Sequence, residues 1–324
     1  NTALDPQTLI WANYTICARD RSYRDFYLSM LNEAIEKLDI TGGLYFDQAR
    51  PEMCRNEAHG CGWVDPQGER HGTFNILGTR ELAKRIYVMM KRHSPDALIA
   101  HHMSGEVTMP VNAFSDIMID GENLTGAVGL AGNYYEALPP DTFRAEYMPR
   151  QWGPIPALLP QHARSASILK GREDELHFYE SSEAQKPINY LVGLVTVHDG
   201  LIWPAWEVRP NALWAAQDEF GWNDQVEFMP YWSDDGVVQV LEPKSDGVLV
   251  SAYRRPGRVM LVPLNTTDED LTVRLEVSAD RLGLPDDEGI TLTDAYAGGE
   301  FPLRGGVVEV PLPERGFRML VSPR

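Results

Sequence analysis

Residues 42–63, GGLYFDQARPEMCRNEAHGCGW, pass abruptly from an apolar run into an irregular loop. Leu44, Tyr45 and Phe46 predict a short buried strand that ends at Asp47. The loop that follows is rich in cysteine, histidine and glycine. A buried strand that ends on an acid and opens into a long loop is typical of a (β/α)8 barrel, whose active site lies at the carboxyl ends of the strands.

The alternation of strand and helix extends outward from this stretch to about residue 230. Six segments predict strands: TLIWANYT, GLYFDQ, ALIAHHM, FSDIMIDGE, IPALLPQ and LIWPAW. Four segments predict helices: RSYRDFYLSMLNEAIEKLD, TRELAKRIYVMMKRH, PDTFRAEYMPRQWG and PINYLVGLVTVHDG. In the first helix Phe26, Met30, Ala34 and Leu38 recur every four residues, and Thr79 is the expected N-cap of the second. Strands that alternate with helices predict a parallel sheet with crossover connections.

The order of these segments predicts a (β/α)8 TIM-type barrel of which this chain holds strands three to eight. Strands one and two would lie upstream of Asn1, so we expect a missing N-terminal part of the same protein. Beyond about Trp232 seven short strands separated by turn residues predict a small all-β sandwich. The expected domains are a catalytic barrel over residues 1–231 and a β-sandwich over residues 232–324.

The composition excludes several classes of partner. The net charge of −18 makes an acidic surface that repels nucleic acid and anionic lipid. No apolar run approaches the length of a membrane span. The sequence contains no Gly-x-Ser-x-Gly elbow, no phosphate loop and no dinucleotide fingerprint after a strand, so we expect no cofactor.

The cysteines of the loop allow three interpretations. Cys54 and Cys61 lie close together in the chain and could form a local disulfide, which favours an oxidising compartment. They could instead remain reduced thiols. The third interpretation is a zinc site made by Cys54, His59 and Cys61, for which His71 would have to supply the fourth ligand.

Carboxylates follow two of the predicted strands. Asp47 ends one strand, while Asp120 ends another and Glu122 lies just past the flexible Gly121. Two carboxylates from separate strands that face one cleft are the minimum set for glycoside hydrolysis, in which one carboxyl group donates a proton and the other acts as nucleophile or base. We therefore predict Asp47, Asp120 and Glu122 as catalytic residues. Asp116, at the start of its strand, could instead act only as a cap.

Polar and aromatic residues near the same strand ends are candidates for binding the substrate. Only one of two adjacent histidines on a strand can face the mouth of the barrel, because successive side chains point to opposite sides. Aromatic rings stack on the apolar faces of sugars. The predicted substrate-binding residues are Tyr45, Gln48, Arg50, Trp63, His101, His102, Trp203 and Trp206.

Three long segments carry a resemblance to a known family: LYFDQARPEMCRNEAHGCGW, HMSGEVTMPVNAFSDIMIDGE and FRAEYMPRQWG. Together with the ending LPERGFRML, they resemble bacterial proteins related to glycoside hydrolase family 123. The resemblance spans roughly residues 8–324. It implies a catalytic (β/α)8 barrel, an upstream β-domain and hydrolysis of a glycosidic bond. Characterised members remove β-linked N-acetylgalactosamine by substrate-assisted catalysis.

The resemblance also implies roles for two adjacent residues at the end of strand four. Family members carry an Asp-Glu pair there, in which the glutamate is the acid/base and the aspartate orients the acetamido group. This sequence reads Asp47-Gln48, and an amide cannot replace the acid. Three outcomes are therefore expected: a glycosidase in which Asp47 works with Asp120 or Glu122, a glycan-binding protein without turnover, or an inactive fragment, since a barrel that lacks two strands exposes unpaired edges. The cysteine pair and the resemblance favour a periplasmic or extracellular location.

Overall fold

The structure, a computed structural model, describes residues 16–103, 107–131, 133–147, 153–161, 182–203, 211–233, 236–284 and 289–323. The chain forms two compact units. The first consists of Asn1–Ile119 and Trp152–Ile155, and the second of Asp120–Gln151 and Pro156–Arg324. None of the helices in the described ranges combines the length and the apolar character that crossing a bilayer requires.

The first unit is an α/β layer built on three parallel strands. Its helices are α1 (Arg21–Leu38), α2 (Ile76–His93) and α3 (Met109–Asn112). Its strands are β1 (Gly43–Phe46), β2 (Met53–Cys54), β3 (Trp63–Val64), β4 (Arg70–His71), β5 (Thr73–Phe74), β6 (Leu98–His102) and β7 (Ile117–Asp120), the last residue of which opens the second unit. β6 runs parallel to both β1 and β7, with Phe46 opposite His101 and His102 opposite Ile119. The predicted strands GLYFDQ, ALIAHHM and FSDIMIDGE are therefore confirmed.

Helix α1 buries a different stripe from the one that the four-residue spacing marks. Leu28 and Ile35 are its buried residues, and Ile35 packs with residues of α2 and β6. Phe26 and Leu38, which belong to the predicted stripe, are 66% and 72% exposed. The helix is confirmed, but two apolar stripes compete on it, and contact with the sheet selects one of them.

Helix α2 begins earlier than its sequence indicates. It starts at Ile76, and Thr79 is a residue of its first turn rather than its N-cap. The backbone N–H of Thr79 already donates to the carbonyl of Asn75, at 2.9 Å, and its hydroxyl donates to the same oxygen. The cap position that we predicted is therefore wrong, because helical hydrogen bonding is in place before Thr79.

Two short antiparallel ladders organise the long loop after β1. β2 pairs with β5 and β3 pairs with β4, each over two residues. Asp65 closes the turn of the second ladder, since its carboxylate accepts from the backbone N–H groups of Gln67 and Glu69. The loop is thus an ordered structure without a hydrophobic core of its own.

The second unit begins with further parallel strands and helices. Its helices are α4 (Thr125–Ala131), α5 (Pro140–Tyr147), α6 (Ser182–Val197), α7 (Asn211–Phe220) and α8 (Ala279–Leu282). Its parallel strands are β8 (Ile155–Leu158), which starts on the last residue of the first unit, and β9 (Leu201–Ile202). The predicted strands IPALLPQ and LIWPAW are confirmed in part by β8 and β9. The predicted strand TLIWANYT lies outside the described residues.

Antiparallel sheets complete the second unit. Its further strands are β10 (Glu227–Met229), β11 (Val238–Glu242), β12 (Val248–Arg255), β13 (Arg258–Asn265), β14 (Leu271–Val277), β15 (Thr291–Asp294), β16 (Glu300–Pro302), β17 (Val307–Leu312) and β18 (Leu320–Val321). They form a six-stranded sheet of order β10-β12-β13-β18-β15-β16 and a three-stranded sheet of order β11-β14-β17. One apolar cluster contains residues of both sheets, among them Leu261 and Leu275, so the sheets share a core. This confirms the predicted β-sandwich; the predicted boundary at residue 231 stays a prediction.

Helix α6 covers the other face of the six-stranded sheet. Its residues Tyr190 and Leu194 belong to one buried cluster with Met260 and Phe317 of the sheet region. Gly193 allows this approach, because a Cβ atom at its position would lie 2.7 Å from the ring of Phe317. The hydroxyl of Tyr253 also donates to the carbonyl of Thr196, at 2.5 Å. The helix that we predicted from PINYLVGLVTVHDG is confirmed, and it belongs to the packing of the β-sandwich.

Candidate active site

The carboxyl end of β1 presents Asp47 in a bent backbone. Asp47 follows the last strand residue, and Gln48 after it has a φ of 49°, in the left-handed region that non-glycine residues seldom occupy. The next residue returns to the sheet, because the N–H of Ala49 donates to the carbonyl of His102 at 2.9 Å. The turn that exposes Asp47 and Gln48 therefore holds a strained backbone conformation.

His102 orients the Asp47 carboxylate. Its Nδ1 lies 2.8 Å from Oδ1 of Asp47 and 2.9 Å from the hydroxyl oxygen of Tyr45. A carboxylate oxygen accepts hydrogen bonds, so the Nδ1–H of His102 donates a hydrogen bond to Oδ1 of Asp47. The side chain of His102 is only 7% exposed, whereas that of Asp47 is 63% exposed. A buried ring thus holds a carboxylate that remains open to a ligand, and Arg50 pairs with Glu52 rather than with Asp47.

His101 occupies a different environment from its neighbour. Its ring packs edge-on against Phe46, with the ring centroids 5.9 Å apart, and the amide of Asn112 donates to its Nδ1 at 3.3 Å. Burial lowers the pKa of His101 to about 4. It is therefore neutral near pH 7, and its buried ring also borders the cavity beside Asp47.

A cavity of about 230 Å³ opens beside Asp47 in the first unit. Tyr23 and Tyr27 of α1 and the residues Gln48 and Arg50 belong to its lining. Its volume lies below the usual range of ligand pockets, which is about 300–1,000 Å³. The combination of an open carboxylate, an amide, a cation and aromatic rings suits a small polyhydroxylated group.

Asp116 lies at the opposite end of its strand from Asp120. Its Oδ2 accepts from the backbone N–H of Ile99 at 2.8 Å and is 3.0 Å from Nζ of Lys91. Asp116 therefore holds the starts of β6 and β7 together. This confirms the capping role that the sequence left open.

In the second unit, Asp120 and Glu122 flank a glycine that the backbone requires. Gly121 has a φ of 143°, and a Cβ atom there would lie 2.3 Å from the carbonyl oxygen of Leu159. The N–H of Gly121 donates to Oδ1 of Asp120 at 2.8 Å. Glu122 begins a single 3-10 turn, Glu122–Leu124. Both acids are half-buried, and their catalytic roles stay predictions.

Glu146 is an acid of the second unit that the sequence analysis missed. It lies in α5, and both the loss of solvent around it and the negative charge of Asp120 raise the pKa of its carboxyl group. The hydroxyl of its neighbour Tyr147 also has a raised pKa, through burial and through the same two carboxylates. A pair of acids in which one keeps its proton more readily is the arrangement that acid/base catalysis uses. Glu146 lies on a helix rather than at the end of a strand, so its place in the sequence gives no sign of this environment.

The predicted aromatic residues are spread over several environments. Trp63 stacks on His71 with ring centroids 4.7 Å apart, so one face of its indole is already occupied. Trp203 follows β9 and is 36% exposed, and its backbone N–H donates to the carbonyl of Leu158. Trp206 lies outside the described residues.

The cysteines of the loop are free thiols, and the predicted disulfide between Cys54 and Cys61 is not formed. Cys61 instead lies against Cys17, with 3.6 Å between the two Sγ atoms. His71 takes no part in this cluster, because its Nε2 binds the carboxylate of Asp65 at 2.7 Å. Cys17, which is distant from the loop in the sequence, occupies the place expected for His71.

Comparison with solved structures shows which fold this chain shares. An α-amylase from Anoxybacillus matches with a TM-score of 0.54 and 12% identity, over 95% of this chain and 65% of that one. An α-amylase from Geobacillus thermoleovorans, solved with acarbose, matches with a TM-score of 0.55 and 10% identity, over 99% of this chain and 73% of that one. The chain thus has the fold of TIM-barrel glycosidases with a C-terminal β domain. It spans just under two thirds of the Anoxybacillus enzyme, at 65%.

A family model identifies part of the chain more closely. Residues 209–295 match the Glycoside hydrolase 123, C-terminal domain. The resemblance to this family that the sequence analysis stated is confirmed over these residues. No curated protein sequence matches the chain.

Proposed function

We propose that this protein hydrolyses glycosidic bonds of a carbohydrate by carboxylate chemistry at the ends of its parallel strands. The observation that carries the proposal is Asp47, a strand-end carboxylate that buried His102 orients and that remains 63% exposed. The match to a glycoside hydrolase 123 domain and the glycosidase fold support the same reaction class. A periplasmic or extracellular location remains a prediction.

The proposed mechanism assigns each acid a role by its environment. Asp47, which accepts a hydrogen bond from His102, is suited to act as an ionised nucleophile or orienting base. Asp120 and Glu122 stay the predicted acids of the second unit, and Glu146 of the same unit has a raised carboxyl pKa, which favours its protonated form. A carboxyl separation near 5 Å would predict retention of configuration, and one of about 6.5–9.5 Å inversion.

The test of this proposal is turnover of a panel of aryl glycosides that includes N-acetylgalactosaminides. Wild-type protein should release the aryl group from at least one of them. Asp47→Asn should lower kcat/KM about a thousandfold, because the change removes the charge but keeps the shape. The matched control is Asp96→Asn, on the exposed turn before β6, which should leave the rate unchanged. Near-normal turnover by Asp47→Asn would remove Asp47 from the mechanism.

A second function, glycan binding without turnover, is favoured by one observation. Gln48 stands where the resemblance implies the acid/base glutamate, and it is exposed beside Asp47. Under this reading the wild type binds a glycan of the panel and releases no product. Gln48→Glu should then create turnover of an aryl N-acetylgalactosaminide at least about a hundredfold above background, since a general acid contributes about that much or more.

The control for this change places the same new charge elsewhere. Gln67→Glu, on the exposed β3–β4 turn, should create no activity. Robust turnover by the wild type, with no gain in Gln48→Glu, would exclude the binding-only function. If neither the wild type nor Gln48→Glu has activity or affinity for any glycan, both functions fail.

A further inference from the structure

Four metal-ligating side chains meet in the first unit, in a place that the proposed hydrolysis does not use. Cys17 precedes α1, Cys54 ends β2, His59 ends the 3-10 turn Glu57–His59, and Cys61 follows that turn. One potential ligand atom from each of the four lies within 4.8 Å of all the others. Cys17 and Cys61 are separated by 43 residues of intervening chain, so folding rather than sequence proximity assembles the set.

The spacing of these atoms suits a tetrahedral metal ion. Zinc bonds to sulfur at about 2.3 Å, so ligand atoms at the corners of such a site lie about 3.8 Å apart. The Sγ atoms of Cys17 and Cys61 are 3.6 Å apart, and Sγ of Cys54 is 3.7 Å from Nδ1 of His59. A disulfide would need its sulfur atoms at about 2.0 Å and would leave the third cysteine unused.

The surroundings of the sulfur atoms supply hydrogen-bond donors. The side-chain amide of Asn75 donates to Sγ of Cys17 at 3.0 Å, and the backbone N–H of Asn56 donates to Sγ of Cys54 at 3.4 Å. Donors aimed at sulfur stabilise thiolates, which are the form that binds metal. The chain also turns sharply between the last two ligands, at Gly60, whose φ of 65° suits glycine.

We propose that Cys17, Cys54, His59 and Cys61 bind one structural Zn²⁺ ion. Three thiolates and an imidazole are ligands that zinc prefers, and four protein ligands leave no open position for substrate, which is the pattern of structural rather than catalytic sites. On binding, the thiols release their protons and the ion takes their place. The ion fastens the segment before α1 to the long loop after β1, which has no apolar core of its own. This inference is independent of the hydrolase proposal.

The first test is the metal content of the full chain, purified under reducing conditions without added metal and dialysed extensively. Elemental analysis should find zinc in a 1:1 ratio to protein, and wild-type thiols should react with a thiol reagent only after a chelator removes the metal. A chain free of metal after growth in zinc-supplemented medium, with its thiols immediately reactive or joined in a disulfide, would overturn the proposal.

The second test replaces zinc with Co²⁺ in the wild-type protein, so that no variant has to fold. Intense visible absorption and a sulfur-to-cobalt charge-transfer band are expected from a tetrahedral thiolate site. Weak bands without charge transfer would mean that the thiols are not ligands, and would reject the site.

Variants then assign the ligands. Cys17→Ser should lower zinc retention at least tenfold, whereas His71→Ala, the matched control from the same loop, should retain the full amount. The opposite result would place His71 rather than Cys17 in the site. A chelator should also lower the Tm of wild type and of His71→Ala by a similar amount, because the bound ion stabilises the folded form.

Discussion

At the scale of single residues, the proposed function rests on how each carboxylate is held. Asp47 and Asp116 carry the same carboxyl group, and both border a short apolar run, which Asp47 follows and Asp116 precedes. The structure separates them, because Asp116 is engaged by a backbone N–H and Lys91, while among the described residues His102 holds Asp47 through one oxygen. Only the second arrangement leaves a carboxylate able to reach a ligand.

Glu146 gives a prediction at this scale that separates function from stability. Its carboxyl pKa is raised in the folded protein, so the folded state binds more protons there than the unfolded state. Its contribution to the free energy of unfolding therefore falls as pH rises from below the ordinary glutamate pKa through the raised one. Glu146→Gln should remove this decrease and raise the free energy of unfolding at pH 7 by about 0.5 kcal/mol. The effect is small because solvent screens the charge of Glu146.

The measurement is the urea midpoint of wild type and Glu146→Gln at pH 4 and pH 7, together with kcat/KM. We expect the variant to be more stable only at the higher pH and, if Glu146 is the proton donor, to lose activity. Glu136→Gln, an exposed glutamate in the segment before α5, serves as control and should change neither quantity. Lower stability of Glu146→Gln at pH 7 would contradict the raised pKa.

At the scale of elements, tight helix packing decides which glycines can be replaced. Gly193 in α6 and Gly126 in α4 are both helical, so each loses the same backbone freedom on folding. A Cβ atom at Gly193 would enter the ring of Phe317, whereas one at Gly126 would meet nothing within 4 Å.

Alanine at these two positions should therefore have effects of opposite sign. Gly193→Ala should lower the free energy of unfolding by about 1–3 kcal/mol, the usual cost of overpacking a core. Gly126→Ala should raise it by up to about 1 kcal/mol, because alanine favours the helix and restricts the unfolded chain. Urea unfolding measures both. Equal effects of the two changes would mean that α6 does not approach the sheet as closely as described.

At the scale of the whole molecule, periodicity predicted the elements better than it predicted their contacts. The strands around Leu44, Ile99 and Ile117 follow from short apolar runs, because burial in a parallel sheet demands such runs. The buried stripe of α1 did not follow, since Phe26 and Leu28 lie on competing faces and only the neighbouring sheet chooses between them.

The candidate site divides in the same way. Asp47 and Asp120 could be predicted as candidates because strand ends in parallel α/β folds often carry functional side chains. Glu146 and Cys17 could not be predicted, because the surroundings of each depend on residues distant in the chain: Cys61 for Cys17, and Asp120 for Glu146. Spacing along the sequence does not show which residues distant in the chain come into contact in the fold.

Helix α6 covers one face of the six-stranded sheet, and this limits where the chain can be cut into separately folded parts. The apolar side chains of Met260 and Phe317 pack in one cluster with residues of this helix, and the hydroxyl of Tyr253 donates to one of its carbonyl groups. A fragment that starts at residue 232 would therefore expose an apolar surface to water. It would also leave the hydroxyl of Tyr253 without its hydrogen-bond acceptor. A fusion protein that uses the β-sandwich should therefore include α6, or should replace the exposed apolar residues by polar ones.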